Sequence, residues 1–422
     1  MRGRAALSAL LVAACHPAAP RVTMLAPPVA PGPVAAADPA VAVEPVTGDL
    51  LLSWVAGDSS DWHVYFARSP DGGATWSAPG RVTDRAHDVH PHGESSPRLV
   101  AAAGVIALAW TNSVPAPAPG RKWPGSNIRF ARSIDGGQTW SRAVTLNDDT
   151  AAGPAGHIFH GAARSGESGI AVAWMDERGG AAPGNTAAAS RLGHHAGAPE
   201  EPDATVYLAH SGDLGGTWAP NRPLWGAACP CCRVALARAP DGGVVAGWRK
   251  HFAGNVRDVV VTRLAEQPGP DVRVHADNWV YPGCPHTGPG LVVDGAGTVH
   301  VTWFSGKPGA AGVYYARAAR GADFGAPVAL IRARTLPTAH PRVASLPDGG
   351  AVIAWDVAGD GSPALFIARV TPDGRASSAV EVPGSAAADH PDVLTLGDGS
   401  VVVAWTAQRG GEAALQLARV TP

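Results

Sequence analysis

The sequence predicts an all-β protein that folds as a single β-propeller of seven blades. Two features predict this fold: a composition rich in glycine and proline, and a pair of apolar strands that recurs along the chain. The chain has 52 Gly and 39 Pro in 422 residues, and only 16% of its residues are charged. Such a composition favours many short strands joined by turns over long helices.

A short apolar strand that ends near a tryptophan recurs along the chain. The tryptophans at the ends of the seven repeated strands are Trp54, Trp110, Trp174, Trp248, Trp303, Trp355 and Trp405. A second apolar strand with a shared ending follows, as in VYFARS at 64–69 and IRFARS at 128–133. The period of roughly 50 to 75 residues is typical of a four-stranded propeller blade with variable loops. Neighbouring blades cover both faces of the second strand, so a large apolar side chain fills the space there.

Three turns that follow these strands share a further motif. SPDGGATW at 69–76, SIDGGQTW at 133–140 and SGDLGGTW at 211–218 all match the pattern S-x-D-x-G-x-T-W. On this motif the sequence resembles the sialidase-like, Asp-box (BNR-repeat) β-propellers. In the motif the aspartate accepts backbone hydrogen bonds across the turn, and the glycine supplies a positive φ. The resemblance implies a propeller fold and leaves the function open.

The number of blades and the closure of the ring are separate predictions. The last repeat ends at Pro422 after its third strand, and the segment at 21–29 precedes the first repeat without a blade of its own. We therefore expect 21–29 to supply the outer strand of the last blade. The repeats count to seven, whereas familiar sialidases have six blades, so a six-bladed propeller is the alternative.

The first residues are typical of an export signal. Arg2 and Arg4 precede a short apolar stretch, and the segment VAAC ends at Cys15. The stretch is too short to span a bilayer. VAAC resembles a bacterial lipobox, in which the cysteine is lipidated and becomes the mature N-terminus. An ordinary signal peptide with an incidental cysteine is the alternative.

This signal predicts where the protein is located and what it contacts. We expect a lipoprotein signal peptide at 1–14, a linker at 15–20 and the propeller at 21–422. The protein would be exported and held by its lipid at the cell envelope, on the periplasmic side or at the cell surface. A net charge of −2, without long basic runs, excludes nucleic acid as a main partner. We expect a monomer whose top face is free for a small molecule, a glycan or a protein.

The same face carries polar loops and one long insertion. The insertion at 179–203 is rich in Ala, Gly and Pro and is expected to form a lid. The segment WRKHFAGNVRD offers Arg249, Lys250, His251 and Arg257, and we expect most such side chains to be solvated.

The cysteines and half of the histidines fall at one structural position. In a propeller the innermost strand of each blade begins at the rim of the central channel, and the loops leading into these strands are readable from the sequence. They contain His87, His90, His92, Glu94, His157, His160, Cys229, Cys231, Cys232, Cys284, His286, His340, Asp389 and His390. Every cysteine after Cys15 is in this set, so these side chains are expected to converge on the axis.

Converging thiolates and imidazoles are ligands that copper and zinc prefer. Residues two apart share a face of an extended strand, which places Cys229 with Cys231 and Cys284 with His286. The predicted metal ligands are His90, His92, His157, His160, Cys229, Cys231, Cys232, Cys284, His286, His340 and His390. We favour copper over zinc, with redox chemistry or metal handling as its use.

A structural role for the cysteines is the alternative. Exported cysteines in even number usually form disulfides, and a bond from Cys229 or Cys231 to Cys284 would join two blades. A histidine before a proline can simply hydrogen-bond to the backbone of a turn. A metal site, disulfides, or a combination of the two remain open.

The resemblance to sialidases implies glycoside hydrolysis or glycan binding as a second function class. A sialidase needs three arginines that grip a carboxylate, a tyrosine nucleophile activated by a glutamate, and an aspartate as acid or base. The candidates are Arg98, Arg233, Arg342, Tyr281 and Glu94. The family's early F/Y-R-I-P motif is absent, and no spacing supports these roles. The sequence therefore does not decide whether the protein is an enzyme.

Overall fold

The computed structural model describes residues 17–29, 34–58, 60–114, 125–149, 155–178, 204–265, 269–358, 363–409 and 411–422. The predicted signal peptide, Cys15 and the 179–203 insertion lie outside these residues. The described residues form an all-β fold, in which the one helical element is a 3₁₀ turn at Gly93–Ser95. A search of the same residues for a helix long and apolar enough to cross a membrane finds none.

The strands form antiparallel sheets in chain order. Strand β1 (Arg21–Leu25) precedes the repeats. The first sheet contains β2 (Ala35–Val43), β3 (Leu50–Gly57), β4 (Trp62–Ser69) and β5 (Gly80–Arg81). The second contains β6 (Arg98–Ala102), β7 (Val105–Ser113), β8 (Ser126–Ser133) and β9 (Val144–Thr145).

The middle of the chain forms one larger sheet. Its strands are β10 (His157–Ser165), β11 (Gly169–Asp176), β12 (Ala204–Ser211), β13 (Arg222–Ala228), β14 (Ala235–Arg238), β15 (Val244–Phe252), β16 (Val256–Arg263) and β17 (Val272–Arg273). Two groups of four strands make up this sheet, because β13 and β15 are joined only at Ala228 and Lys250.

Three further sheets of four strands follow. The first contains β18 (Gly290–Val293), β19 (Val299–Ser305), β20 (Ala311–Ala318) and β21 (Val328–Ala333). The next contains β22 (Arg342–Ser345), β23 (Ala351–Ala358), β24 (Pro363–Val370) and β25 (Val380–Glu381). In the last, β26 (Ala388–Thr395), β27 (Val401–Arg409) and β28 (Glu412–Thr421) are completed by β1.

Strand β1 joins the two ends of the described chain. It pairs antiparallel with β28, from Arg21 opposite Thr421 to Leu25 opposite Leu417. This is where the sequence analysis expected the 21–29 segment. A buried apolar cluster also packs the first sheet, through Leu50 and Trp54, against the last. The first strands of successive groups contact one another in order, and β26 contacts β2.

Tryptophan burial explains how neighbouring sheets pack. Each of the seven repeat tryptophans lies on the second strand of its group and is at most 1% exposed. Large side chains fill the wedge between two sheets, where no water remains to compete for contact. The apolar core is therefore divided into clusters between sheets.

The three S-x-D-x-G-x-T-W segments form the same turn. In the first, Asp71 accepts hydrogen bonds from Thr75 N (2.8 Å), Thr75 Oγ1 (2.6 Å) and Ser69 Oγ (2.8 Å). Asp135 and Asp213 make the equivalent bonds in the other two turns. These turns lie on the surface, away from the cysteines and histidines discussed below.

Three of the innermost strands contain a bulge. The pairing register shifts in β2, β10 and β26, and Asp38, Phe159 and His390 at these shifts have positive φ angles of 54°, 60° and 47°. A non-glycine residue in this region costs about 1–3 kcal/mol and is found where surrounding contacts hold it. The three bulges therefore all lie near the first residues of their strands, where surrounding contacts hold the backbone.

Candidate metal centre

Loops distant in sequence meet at one end of the innermost strands. The rings of His92 and His286 lie 6.1 Å apart, between centroids, and those of His340 and His390 stack at 3.7 Å. Gly93 packs directly on His390, because a Cβ at Gly93 would lie 2.1 Å from the Cγ of that ring. Only glycine permits this close approach.

Four cysteines and one histidine form a thiol cluster, which we define as Cys229, Cys231, Cys232, Cys284 and His286. The Sγ of Cys229 lies 3.7 Å from that of Cys231 and 3.6 Å from that of Cys232. A tight turn holds the three thiols together, with Cys229 N donating to Arg249 O and Cys232 N to Cys229 O. No disulfide joins any of these four cysteines, so the disulfide alternative is not the state of this structure.

The donor atoms of the thiol cluster fall into two triangles. Cys229, Cys231 and Cys232 have sulfurs within 4.8 Å of one another. The same limit holds for the donor atoms of Cys231, Cys284 and His286. Cys231 belongs to both triangles. The cysteines before β14 and β18 thus meet as the sequence predicted from the loop positions.

Two buried arginines lie beside the thiols. Arg249 and Arg257 are at most 1% exposed, and no carboxylate of the described residues pairs with either. Arg249 donates to the carbonyl oxygens of Thr287, Arg257 and Phe304 at 2.9–3.1 Å. Among the residues that the structure describes, the Nη1 and Nη2 of Arg257 have no hydrogen-bond partner, while its Nε donates to Tyr281 O. Most polar side chains of this segment were expected to be solvated, but these two are buried.

The positive charges of Arg249 and Arg257 lower the pKa values of neighbouring cysteine thiols. Burial raises the pKa of a thiol, but at Cys229 the hydrogen bonds from the neighbouring thiols and the charge of Arg257 lower the pKa well below its ordinary value. Burial and the adjacent Cys229 raise the pKa of Cys231 and Cys232. Arg257 is close enough to all four cysteines for their charges to interact. In the metal-free protein the thiolate is therefore favoured at Cys229, and Cys231 and Cys232 keep their protons.

A second group of donors adjoins the thiol cluster. This His–Asp cluster contains His340, Asp356, Asp389 and His390, whose donor atoms lie within 4.8 Å of one another. Asp356 accepts backbone hydrogen bonds from His340 N (2.6 Å) and His390 N (2.7 Å), and a further one from His340 Nδ1 (2.8 Å). His340 Nε2 donates to His286 O at 3.1 Å.

The protonation of His340 argues for a structural role. Burial lowers its pKa, but the charge and hydrogen bond of Asp356 outweigh burial and raise the pKa to about 9. His340 is therefore an imidazolium at neutral pH, with both N–H groups donating, and an imidazolium has no lone pair for a metal. Because Asp356 is already saturated, the His–Asp cluster clamps two loops together.

Glu94 and Arg233 form a buried ion pair between three loops. Oε1 of Glu94 pairs with Arg233 Nη1, and Oε2 accepts from Gly288 N at 2.7 Å. Arg233 Nη2 donates to Pro289 O at 2.8 Å. Burial alone would raise the pKa of Glu94, but the charge of Arg233 leads the effects that lower it to about 2. Glu94 is therefore ionised, and both of its carboxylate oxygens are already bonded to protein groups. This state is unfavourable for a general acid.

The other glycosidase candidates lie in different surroundings. Arg98 and Arg342 both face Asp392, with Arg98 Nη1 and Arg342 Nε at 3.6 and 3.3 Å from its Oδ1. Tyr281 stacks on Trp279, with ring centroids 5.2 Å apart, next to Arg257. The arginines thus face acidic side chains of the protein.

The remaining predicted ligands are held by protein groups. His157 bonds through Nδ1 to Ser126 O and lies with Nε2 3.1 Å from Asp149. Both ring nitrogens of His160 are engaged, with Ala109 O and Thr111 Oγ1. His90 Nδ1 meets Ser113 Oγ at 2.9 Å, and His92 Nδ1 accepts from Glu94 N at 3.2 Å. None of these four histidines belongs to a donor group of the described residues.

Comparison with known proteins bears on the fold alone. No protein-family model matches the chain, and no curated protein matches its sequence. A protein of unknown function from Dyadobacter fermentans DSM 18053 is 15% identical, with 95% of this chain and 98% of that chain covered and a TM-score of 0.51. Similarity at this identity shows the fold alone.

Sialidases are among the more distant structural matches. The Hadza microbial sialidase Hz136 is 15% identical, with 76% of this chain and 63% of that chain covered and a TM-score of 0.47. The leech intramolecular trans-sialidase is 12% identical, with 88% of this chain and 82% of that chain covered and a TM-score of 0.46. Scores below 0.5 carry no argument about this chain. Fold and site together define an all-β protein with a buried cysteine–histidine cluster.

Proposed function

We propose that the chain is a seven-bladed β-propeller, closed by β1, which binds a thiophilic metal ion in the thiol cluster. Three observations support the ring: the β1–β28 pairing, the apolar cluster between the first and last sheets, and the cyclic order of contacts among the first strands. The eight-stranded sheet counts as two blades, since one residue pair joins its halves.

The observation that carries metal binding is the placement of four thiols beside two buried guanidinium groups, with neither of which a carboxylate of the described residues pairs. A buried charge is costly unless it is paired. A single thiolate at Cys229 cannot compensate both Arg249 and Arg257, whereas several metal-bound thiolates can. The sulfur separations of 3.6 and 3.7 Å also fit a metal. A tetrahedron with bonds of about 2.3 Å from zinc to sulfur has edges of about 3.8 Å.

Copper is favoured over zinc by the arrangement of the donors. A structural zinc site surrounds one point with four ligands. In the thiol cluster, each group of donor atoms that all lie within 4.8 Å of one another contains three donors. Soft thiolates suit Cu(I), which accepts trigonal coordination. We therefore propose Cu(I) as the ion, held by cysteine sulfurs with His286 as the nitrogen ligand.

Elemental analysis of the purified protein, paired with a free-thiol count after denaturation, tests this proposal. We expect near-stoichiometric or higher copper, and thiols that become free once the metal is removed. His90→Ala is the matched control, because His90 lies at the same end but outside the thiol cluster, and its metal content should equal the parent's. No metal, no uptake of Cu(I) on reconstitution and no free thiol would mean that the cysteines form disulfides.

We also propose that the protein is exported and anchored by a lipid on Cys15, which the VAAC motif supports. Cys15→Ser is expected to abolish labelling by a radioactive fatty acid and to release the protein from the membrane fraction. Labelling that persists in the variant would contradict the anchor.

Glycoside hydrolysis is the weaker candidate. Its proposed acid, Glu94, is bonded to Arg233 and Gly288, and its proposed carboxylate-binding arginines face Glu94 and Asp392. A catalytic screen on sialosides tests it, and we expect no turnover.

A further inference from the structure

We infer that the thiol cluster holds two Cu(I) ions that share the thiolate of Cys231. This inference rests on the proposed function, because it specifies how the same site would be occupied. Its starting observation is that two triangles of donors meet at Cys231. One triangle contains Cys229 and Cys232, and the other contains Cys284 and His286.

The number of donors argues against a single ion. Five donor atoms are present, one more than a closed tetrahedral site uses. No group of donor atoms that lie within 4.8 Å of one another includes all five donors, so a single ion cannot bind all of them. A thiolate sulfur has lone pairs enough to bind two metal ions at once. A trigonal Cu(I) ion in each triangle uses every donor and makes Cys231 the bridge.

The charges of the site balance with two ions. Four thiolates carry four negative charges, and two Cu(I) ions with the guanidinium groups of Arg249 and Arg257 carry four positive ones. With one Cu(I) ion, one negative charge would remain uncompensated beside the buried thiols of Cys229, Cys231 and Cys232, or one thiol would keep its proton. The free Nη1 and Nη2 of Arg257 are available to donate to bridging or terminal sulfurs. Binding moves no electrons, and the thiol protons pass to solvent.

Substitutions of single ligands should change the number of Cu(I) ions that the protein binds in different ways. Cys232→Ser breaks only the first triangle and Cys284→Ser only the second, so each variant should bind one ion. Cys231→Ser leaves two donors in each triangle and should bind neither ion tightly. His286 has a positive φ of 49°, so its test is His286→Asn, since asparagine tolerates that backbone. This variant should also bind one ion.

The experiment is an anaerobic titration of the reduced full chain with Cu(I), buffered by a chromogenic Cu(I) chelator. We expect two equivalents for the parent and for His90→Ala, and one for Cys232→Ser, Cys284→Ser and His286→Asn. X-ray absorption of the loaded parent gives a reading independent of any variant's folding, and a short copper–copper distance is expected.

The outcomes separate this inference from the proposed function. One equivalent in the parent, or spectra without a copper–copper distance, would overturn the shared site and leave single-ion binding intact. Two equivalents that persist in Cys231→Ser would also overturn the bridge. No copper uptake by the parent would overturn both proposals.

Discussion

Replacing Glu94 with alanine is expected to lower the free energy of unfolding by about 3–5 kcal/mol, the usual cost of removing one partner of a buried ion pair. The variant leaves the Arg233 guanidinium buried without a counter-charge and removes the acceptor of Gly288 N. Because these contacts join the loops before β6, β14 and β18, their loss also loosens the loops that carry the thiol cluster. Denaturant unfolding followed by tryptophan fluorescence measures the change, since the repeat tryptophans are buried.

Two controls test the cause of this loss. Glu167→Ala removes an exposed carboxylate that pairs with Arg164 and Arg238, and we expect a change of at most about 1 kcal/mol. The double variant Glu94→Gln with Arg233→Met removes both charges and should recover part of the loss. A change below about 1 kcal/mol for Glu94→Ala would show that the pair is not buried as described.

Replacing Arg257 with methionine is expected to act in opposite directions on the metal-free and metal-bound protein. Without metal, the substitution removes a buried charge whose Nη atoms have no partner, so stability should be unchanged or rise by about 1–4 kcal/mol. With metal, it removes hydrogen bonds to thiolates worth about 1.5–3 kcal/mol, which weakens binding about 10- to 100-fold. Thermal unfolding measures the first effect, and competition with a Cu(I) chelator measures the second.

The matched control for this variant is Arg263→Met. Arg263 lies on the same strand, β16, but is about half exposed and pairs with Asp241 at the surface. We expect it to change neither the metal affinity nor, by more than about 1 kcal/mol, the stability. If Arg257→Met bound Cu(I) as tightly as the parent, the guanidinium would not face thiolates and the charge argument for the site would fail.

Strands and turns are the part of this protein that local sequence encodes well. Tryptophan spacing located the second strand of every group, and each S-x-D-x-G-x-T-W segment forms the same turn. These features depend on neighbours within about ten residues, and second strands such as β3 and β11 are buried along their whole length, which leaves a run of apolar residues in the sequence. The repeat also placed the cysteine loops at equivalent positions, which is why Cys229 and Cys284 were expected to meet.

The roles of individual side chains in the site depend on contacts that no local pattern records. His160 and His286 look alike in sequence, yet the first is hydrogen-bonded to Ala109 O and the second lies among thiols. Arg249 and Arg257 lie on β15 and β16 and are buried, whereas the sequence predicted a loop there with mostly solvated side chains. Asp356, which anchors His340 and His390, lay on a strand that was not considered for the site.

The sequence by itself therefore determined the all-β repeat, the turn motifs and the crowding of thiols and imidazoles at one position of the fold. Tertiary structure decided which of those side chains bond to the protein and which face one another. Glu94 and Arg233 are 139 residues apart, and their pairing depends on how loops from different sheets meet. A periodic pattern reports whether a side chain is buried, whereas the partner it meets there is fixed only when distant parts of the chain pack.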